Sequence, residues 1–203
     1  MLTVMHLFLQ LAACFGGSST PGEGDAAQPA PTRPMLQCPI GTTLESGNSA
    51  KGNESWCDKD GVMHGPYVRY YPDGARAVKG AYDNNLPDGD WIWWHDNQQE
   101  ASKGKYVRGK QTGPWTWWHA NGNRAEEGDF LQGRKAGQWV SWFDSGSKKD
   151  EGMYHNGIKD GLWTYYDNSV ENEIVRTERW ERGAMAEEHV IKNVPAPPPA
   201  PKP

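Results

Sequence analysis

Residues 113–136 read GPWTWWHANGNRAEEGDFLQGRKA, and this stretch of 24 residues decides the fold. Trp115-Thr116-Trp117-Trp118-His119 is aromatic and β-branched, the composition a pleated surface favours. Ala120-Asn121-Gly122 then supplies residues that tolerate positive φ, as a hairpin turn requires. Pro72-Asp73-Gly74 and Asp144-Ser145-Gly146 offer the same chemistry elsewhere. A second strand is expected to run to Phe130, with Gly133-Arg134-Lys135-Ala136-Gly137 as the turn beyond it.

The pattern recurs in one register. Gly65-Pro66-Tyr67, Gly89-Asp90-Trp91, Gly113-Pro114-Trp115, Gly137-Gln138-Trp139 and Gly161-Leu162-Trp163 each start 24 residues after the last. Five residues after each Gly stands Tyr70, Trp94, Trp118, Trp142 or Tyr166. Fifteen after it come Gly80, Gly104, Gly128 and Gly152, and seventeen after it Tyr82, Tyr106, Phe130 and Tyr154. The fifth unit departs. It carries a two-residue insertion that moves its aromatic to Trp180 and places Val170 and Glu178 in glycine columns, which suggests a terminal cap. A period this regular marks a solenoid or meander, and turns this short force neighbouring strands to be antiparallel. The expected fold is all-β, a single elongated antiparallel meander of about ten strands built from five such repeats.

Composition agrees. Residues 61–185 hold 20 aromatic side chains against 13 Leu, Ile and Val, so an aliphatic α/β or helix-bundle core is excluded. The same stretch holds 17 of the 24 glycines, which penalise long helices. A net charge of −5 provides no basic face for counterion release, so nucleic acid is not expected as a partner. A mean hydropathy of −0.85 excludes a multi-pass bundle of membrane helices.

The termini read differently. Residues 1–13, MLTVMHLFLQLAA, form a short apolar run that ends at Cys14, too short for a spanning helix of ~20 residues. Leu11-Ala12-Ala13-Cys14 resembles the bacterial lipobox, which implies a signal peptide over 1–13 and lipidation at Cys14. No Lys or Arg precedes Arg33, so the positive segment usual in such leaders is missing. Phe15 rather than Asp follows the cysteine, which by the same resemblance implies the outer membrane of a bacterial cell envelope. Residues 14–34 are rich in Gly, Ser, Pro and Ala and are read as a disordered tether. Residues 194–203 form a Pro-rich tail, either a solvated terminus or a polyproline II ligand. Cys38 and Cys57 remain as an even pair, and in an oxidising compartment a disulfide between them would contribute ~3 kcal/mol in the chain-entropy model. That bond is expected to staple a cap over residues 35–60, ahead of a repeat domain over 61–193, and to protect the first sheet edge.

The columns G-x-[WY]-x-x-[WY]…G-x-[YF]…G-x-x-x-G resemble the bacterial variant of the MORN repeat, also seen in proteins labelled YwqK-family antitoxins. The resemblance covers roughly residues 61–185. The cysteine-flanked lead-in also looks like that of exported, lipoprotein-type members. Arrays of this kind mostly scaffold proteins or sit at membranes. The resemblance therefore implies a surface-tethered, non-catalytic binder of a protein or envelope polymer, with an antitoxin that occludes a toxin as the alternative. The membrane would be reached through the lipid anchor only.

No enzyme is expected. Asp and Glu are scattered over turns, and neither G-x-S-x-G nor a phosphate loop occurs. His95 and His119 occupy equivalent positions, but equivalent strands lie about 9.6 Å apart. Zinc needs each nitrogen at ~2.1 Å, so neither a metal nor another cofactor is expected. Tyr67, Tyr70, Trp91, Trp94, Trp115, Trp118, Trp139, Trp142, Trp163 and Tyr166 recur in every unit and are read as structural. Alternation places Trp91, Trp93 and His95 on one face and Ile92 and Trp94 on the other. The column four after the repeat Gly reads Arg69, Trp93, Trp117, Ser141, Tyr165. A core column would not take an unpartnered Arg and Ser, so Trp93, Trp117 and Tyr165 are the candidate binding stripe, facing water or a ligand. Two outcomes are open: an exposed aromatic stripe, or a twisted meander that folds its rings together.

Overall fold

A computed structural model describes residues 36–49, 52–169 and 171–191. The expected signal peptide, Cys14, the expected tether, Val170 and the Pro-rich tail lie outside the described residues. The described residues hold fourteen strands and no helix. They are β1 (Thr43–Ser49), β2 (Gly52–Lys59), β3 (Val62–Tyr70), β4 (Arg76–Asp83), β5 (Leu86–Pro87), β6 (Gly89–Trp94) and β7 (Glu100–Val107). The series continues with β8 (Lys110–Trp118), β9 (Arg124–Leu131), β10 (Arg134–Trp142), β11 (Lys148–His155), β12 (Ile158–Tyr166), β13 (Ile174–Glu181) and β14 (Ala184–Val190). All pair antiparallel in one open sheet and, apart from β5, each neighbours the next in chain order.

β5 and β6 together replace the single long strand seen at β8, β10 and β12. Pro87 has no N–H to give the ladder, and after its pairing with Tyr82 the register with β4 resumes only at Ile92.

Two kinds of turn alternate. At one end of the strands, Asp60-Gly61, Asn84-Asn85, Arg108-Gly109, Gln132-Gly133, Asn156-Gly157 and Arg182-Gly183 all lie at φ between 48° and 86°. Two successive positive φ values define the tight hairpin turn whose twist matches the strands it joins. The turn expected over 133–137 is therefore shorter than the sequence suggests: it closes at Gln132-Gly133, and Arg134 already begins β10. Longer turns close the other end, with Gly74, Gln98, Gly122 and Gly146 in the left-handed region. Gln98 stands where the others have glycine, and its side-chain amide both accepts from and donates to the backbone of Arg76, at 3.1 and 3.2 Å.

The lead-in is part of the sheet. Instead of a separate cap, β1 and β2 form another hairpin and the first edge moves out to β1; with the split of β5 from β6 and the added β14, the expected ten strands become fourteen. A disulfide joins Cys38, ahead of β1, to the fully buried Cys57 in β2, with an S–S distance of 2.00 Å and Cα atoms 5.5 Å apart. Gly41, also at positive φ, sits 24 residues before Gly65 and keeps the same period.

Candidate binding face

One cross-sheet row carries the core. Cα pairing sets Tyr67 opposite Gly80, Trp91 opposite Gly104, Trp115 opposite Gly128 and Trp139 opposite Gly152. Each indole also lies flat on the glycine of the preceding hairpin. A Cβ added at Gly80, Gly104, Gly128 or Gly152 would come within 2.2–2.3 Å of the ring of Trp91, Trp115, Trp139 or Trp163. Glycine inside a strand marks such a close approach. The same four indole nitrogens donate to the carbonyls of Ala81, Lys105, Asp129 and Met153 at 3.1–3.3 Å. The polar atom of each ring is thus paired while its apolar body is buried. Tyr67, Trp91, Trp115, Trp139 and Trp163 are only 1–6% exposed, although among the described residues no second layer covers the sheet.

Flanking rings provide that cover. Tyr82, Tyr106, Phe130 and Tyr154 stand edge-on to Trp91, Trp115, Trp139 and Trp163 at 5.1–5.2 Å. Trp93 stacks on Trp91 and Trp117 on Trp115, each at 5.5 Å, and each then leans toward the next tryptophan at 5.7–5.8 Å. Trp93, Trp117 and Tyr165 are half-buried members of this packed row and are not set apart from it as the sequence reading expected. The row is core on its lower side and surface on its upper side. Burial raises the pKa of Tyr67, Tyr82, Tyr106 and Tyr154, and the Glu54 carboxylate beside Tyr67 adds to the effect there.

The opposite face has its own aromatic column. A bulge follows Arg69, Trp93, Trp117, Ser141 and Tyr165, after which Trp94, Trp118, Trp142 and Tyr166 turn to the other side. A cation lies over each ring: Arg76 over Trp94 at 5.0 Å, Lys103 over Trp118 at 4.9 Å, Arg124 over Trp142 at 5.9 Å and Lys148 over Tyr166 at 5.3 Å. Burial and a 2.5 Å hydrogen bond to Glu151 push the Tyr166 hydroxyl up to about 12. Sequence reasoning passed over these cations, although Arg76, Arg124 and Lys148 each precede their ring by 18 residues.

His95 and His119 are staples. Their Nε2 atoms sit 2.8 and 3.0 Å from the carbonyls of Trp118 and Trp142, and since a carbonyl only accepts, Nε2 donates. Tyr71 makes the same link to the carbonyl of Trp94 at 2.6 Å. Among the described residues no group of three or more His, Cys, Asp or Glu converges on a point that could hold a metal ion.

The far end of the row closes on Glu178, which replaces the glycine opposite Trp163 and is 6% exposed. It accepts from the Tyr165 hydroxyl at 2.5 Å and Trp180 Nε1 at 2.8 Å, and pairs with Arg176 at 3.2 Å. Burial alone would raise its pKa, but these donors, with Arg176 and Lys159, hold the carboxyl below the usual range. Lys159 lies over Trp163 at 4.2 Å and gives a hydrogen bond to the Tyr165 hydroxyl at 2.7 Å.

The row opens at its other end. Tyr67, Arg69, Val78, Tyr82, Pro87, Trp91, Trp93 and Tyr106 line an open depression of about 250 Å³.

Residues 111–132 match the MORN repeat variant. That stretch runs from the start of β8 through Trp115, Trp117, Gly128 and Phe130 to the Gln132 turn, and so contains one complete hairpin of the aromatic row. No curated protein matches the chain. A MORN-variant repeat points to a β-repeat protein with a binding role.

Proposed function

We propose that this chain is a non-catalytic binding protein in which all five 24-residue units are MORN-type variants and the half-buried side of the aromatic row is the contact surface. A single observation carries the reading: Trp93 and Trp117 stack on buried indoles yet keep part of their surface open, on a sheet face that no other described element covers. Rigid, half-exposed aromatic rings supply contact area at little entropic cost, which is why they dominate binding hot spots. The lipobox-like Leu11-Ala12-Ala13-Cys14 supports attachment to a bacterial envelope through a lipid on Cys14, and a protein or envelope polymer as partner.

The test is capture from envelope extracts of the source cell by wild-type protein and by Trp93→Ala and Trp117→Ala variants that still melt cooperatively. Loss of the captured partner in both variants supports the reading. Undiminished capture by both contradicts it. A captured cytosolic toxin in place of an envelope component would favour the antitoxin alternative.

A further inference from the structure

The depression at the N-terminal end of the row differs from the rest of the face in what already occupies its rings. Over Trp139 the Nζ of Lys135 sits 3.7 Å from the ring centroid, and over Trp163 that of Lys159 sits at 4.2 Å. These lysines belong to one column with a spacing of 24, whose earlier members are Met63, Pro87 and Gln111. Among the described residues no cation therefore lies over Trp91 or Trp115, and Pro87 lines the depression beside Trp91 and Trp93.

Arg69 stands at its edge. Its Nε is shielded from solvent and has no hydrogen-bond partner, and no described carboxylate forms an ion pair with its guanidinium. Glu54, its cross-strand neighbour, instead accepts the Tyr67 hydroxyl at 2.8 Å. Across the depression stand the phenol side chains of Tyr82 and Tyr106. A half-buried guanidinium whose cross-strand carboxylate is taken by the Tyr67 hydroxyl, two phenols and the exposed part of Trp93 thus surround one ring-sized space.

We infer that this depression binds a carboxylate-bearing pyranose, a uronate residue of an acidic glycan, packed against the exposed part of Trp93 with its carboxylate on Arg69. The inference rests on the binding role proposed above and assigns that role a ligand class at one end of the row. A planar guanidinium pairs with a carboxylate through two parallel hydrogen bonds, and the aromatic face accepts the C–H side of a sugar ring. An extended peptide fits less well. β3, β4, β6 and β7 are interior strands whose main chains are already paired, so the site has no free edge for strand addition.

The test is titration of the full chain with oligogalacturonate and with a neutral cello-oligosaccharide at physiological ionic strength, read by calorimetry and tryptophan fluorescence. The inference predicts saturable binding of oligogalacturonate and at least tenfold weaker binding of the neutral sugar. Trp93→Ala and Arg69→Gln should each weaken the acidic ligand tenfold or more, and Arg69→Lys, which keeps the charge but loses the fork, severalfold. Lys79→Gln, which removes an exposed cation from the opposite face, should leave the affinity as it is. Thermal melts of the same variants separate lost binding from lost folding. No response to oligogalacturonate, or equal affinity for the two sugars, overturns the inference. If envelope capture still depends on Trp93 and Trp117 in that case, the binding role stands and only the uronate site falls.

Discussion

The indole of Trp115 lies so close to Gly104 that a Cβ added to the glycine would come within 2.2 Å of the ring. The contact repeats at Gly80, Gly128 and Gly152, and it explains how a single sheet buries its tryptophans without a second layer. Each ring lies flat on one strand, caps its nitrogen on the same strand's carbonyl, and is walled by rings to either side. Gly104→Ala must push a buried, hemmed-in ring away from the backbone. It should cost ~1–3 kcal/mol, the range typical of overpacking, measured as a lower urea midpoint with an unchanged slope.

Truncation should grade along the row by burial. Trp115→Ala removes a ring that is 2% exposed and should cost ~3–5 kcal/mol. Trp117 is half-buried but stacked on Trp115 at 5.5 Å, so its loss forfeits a ring pair worth about 0.5–1.5 kcal/mol together with a smaller buried area. Thermal melts should therefore order the proteins as wild type, then Trp117→Ala, then Trp115→Ala. Equal costs for the two variants would refute the grading.

The fold was largely legible because one constraint recurs along most of the sheet. The column of Tyr67, Trp91, Trp115, Trp139 and Trp163 is the buried one, and the glycines at 80, 104, 128 and 152 are where its four indoles rest. Other features were harder to read for physical reasons. β1 and β14 are edge strands of mostly polar sequence, TLESGNS and AMAEEHV, and lack the alternation that a half-buried strand displays. The tight turns hide their signature because Arg108, Gln132 and Arg182 occupy a positive-φ position where Asn or Asp would announce it. Arg69 and Ser141 misdirect the reading of their column. Arg69 lies at the open end of the row, and Ser141 has a shielded hydroxyl with no partner, so neither marks the column as fully exposed. The open depression depends on which column members are lysine, and that matters only once Lys135 and Lys159 are seen over their rings.

Alkaline pH should unfold the array. Tyr67, Tyr82, Tyr106, Tyr154, Tyr165 and Tyr166 all have raised pKa values, with burial the largest cause in each. An unfolded tyrosine ionises near pH 10, while a folded one keeps its proton longer. The stability this contributes is fully present below about pH 10 and is lost as pH rises through the folded values, about 12 for Tyr166. Tyrosinate absorbance and far-UV circular dichroism should change together above pH 10. Complete ionisation with the sheet intact would contradict this.

Acid acts through Glu178. Its pKa in the folded chain lies below the ordinary value of 4.5, so its contribution is present above that value and lost as pH falls through the folded one. Glu178→Gln should lower stability at pH 7 by on the order of 2 kcal/mol, the scale of hydrogen bonds to a charged group. The gap between variant and wild type should narrow as pH drops toward 3 in a series of urea titrations. A gap that does not depend on pH would show that Glu178 acts by packing alone.

The most direct test of how this sheet is held together is a double-mutant cycle on Gly104 and Trp115. In the wild-type background Gly104→Ala meets the indole, whereas in a Trp115→Leu background it meets the space the ring has left. If indoles laid on glycine hold the sheet, the cost of Gly104→Ala in urea titrations should be large in the first background and near zero in the second, a coupling of at least 1 kcal/mol. Strictly additive costs in the two backgrounds would contradict the account.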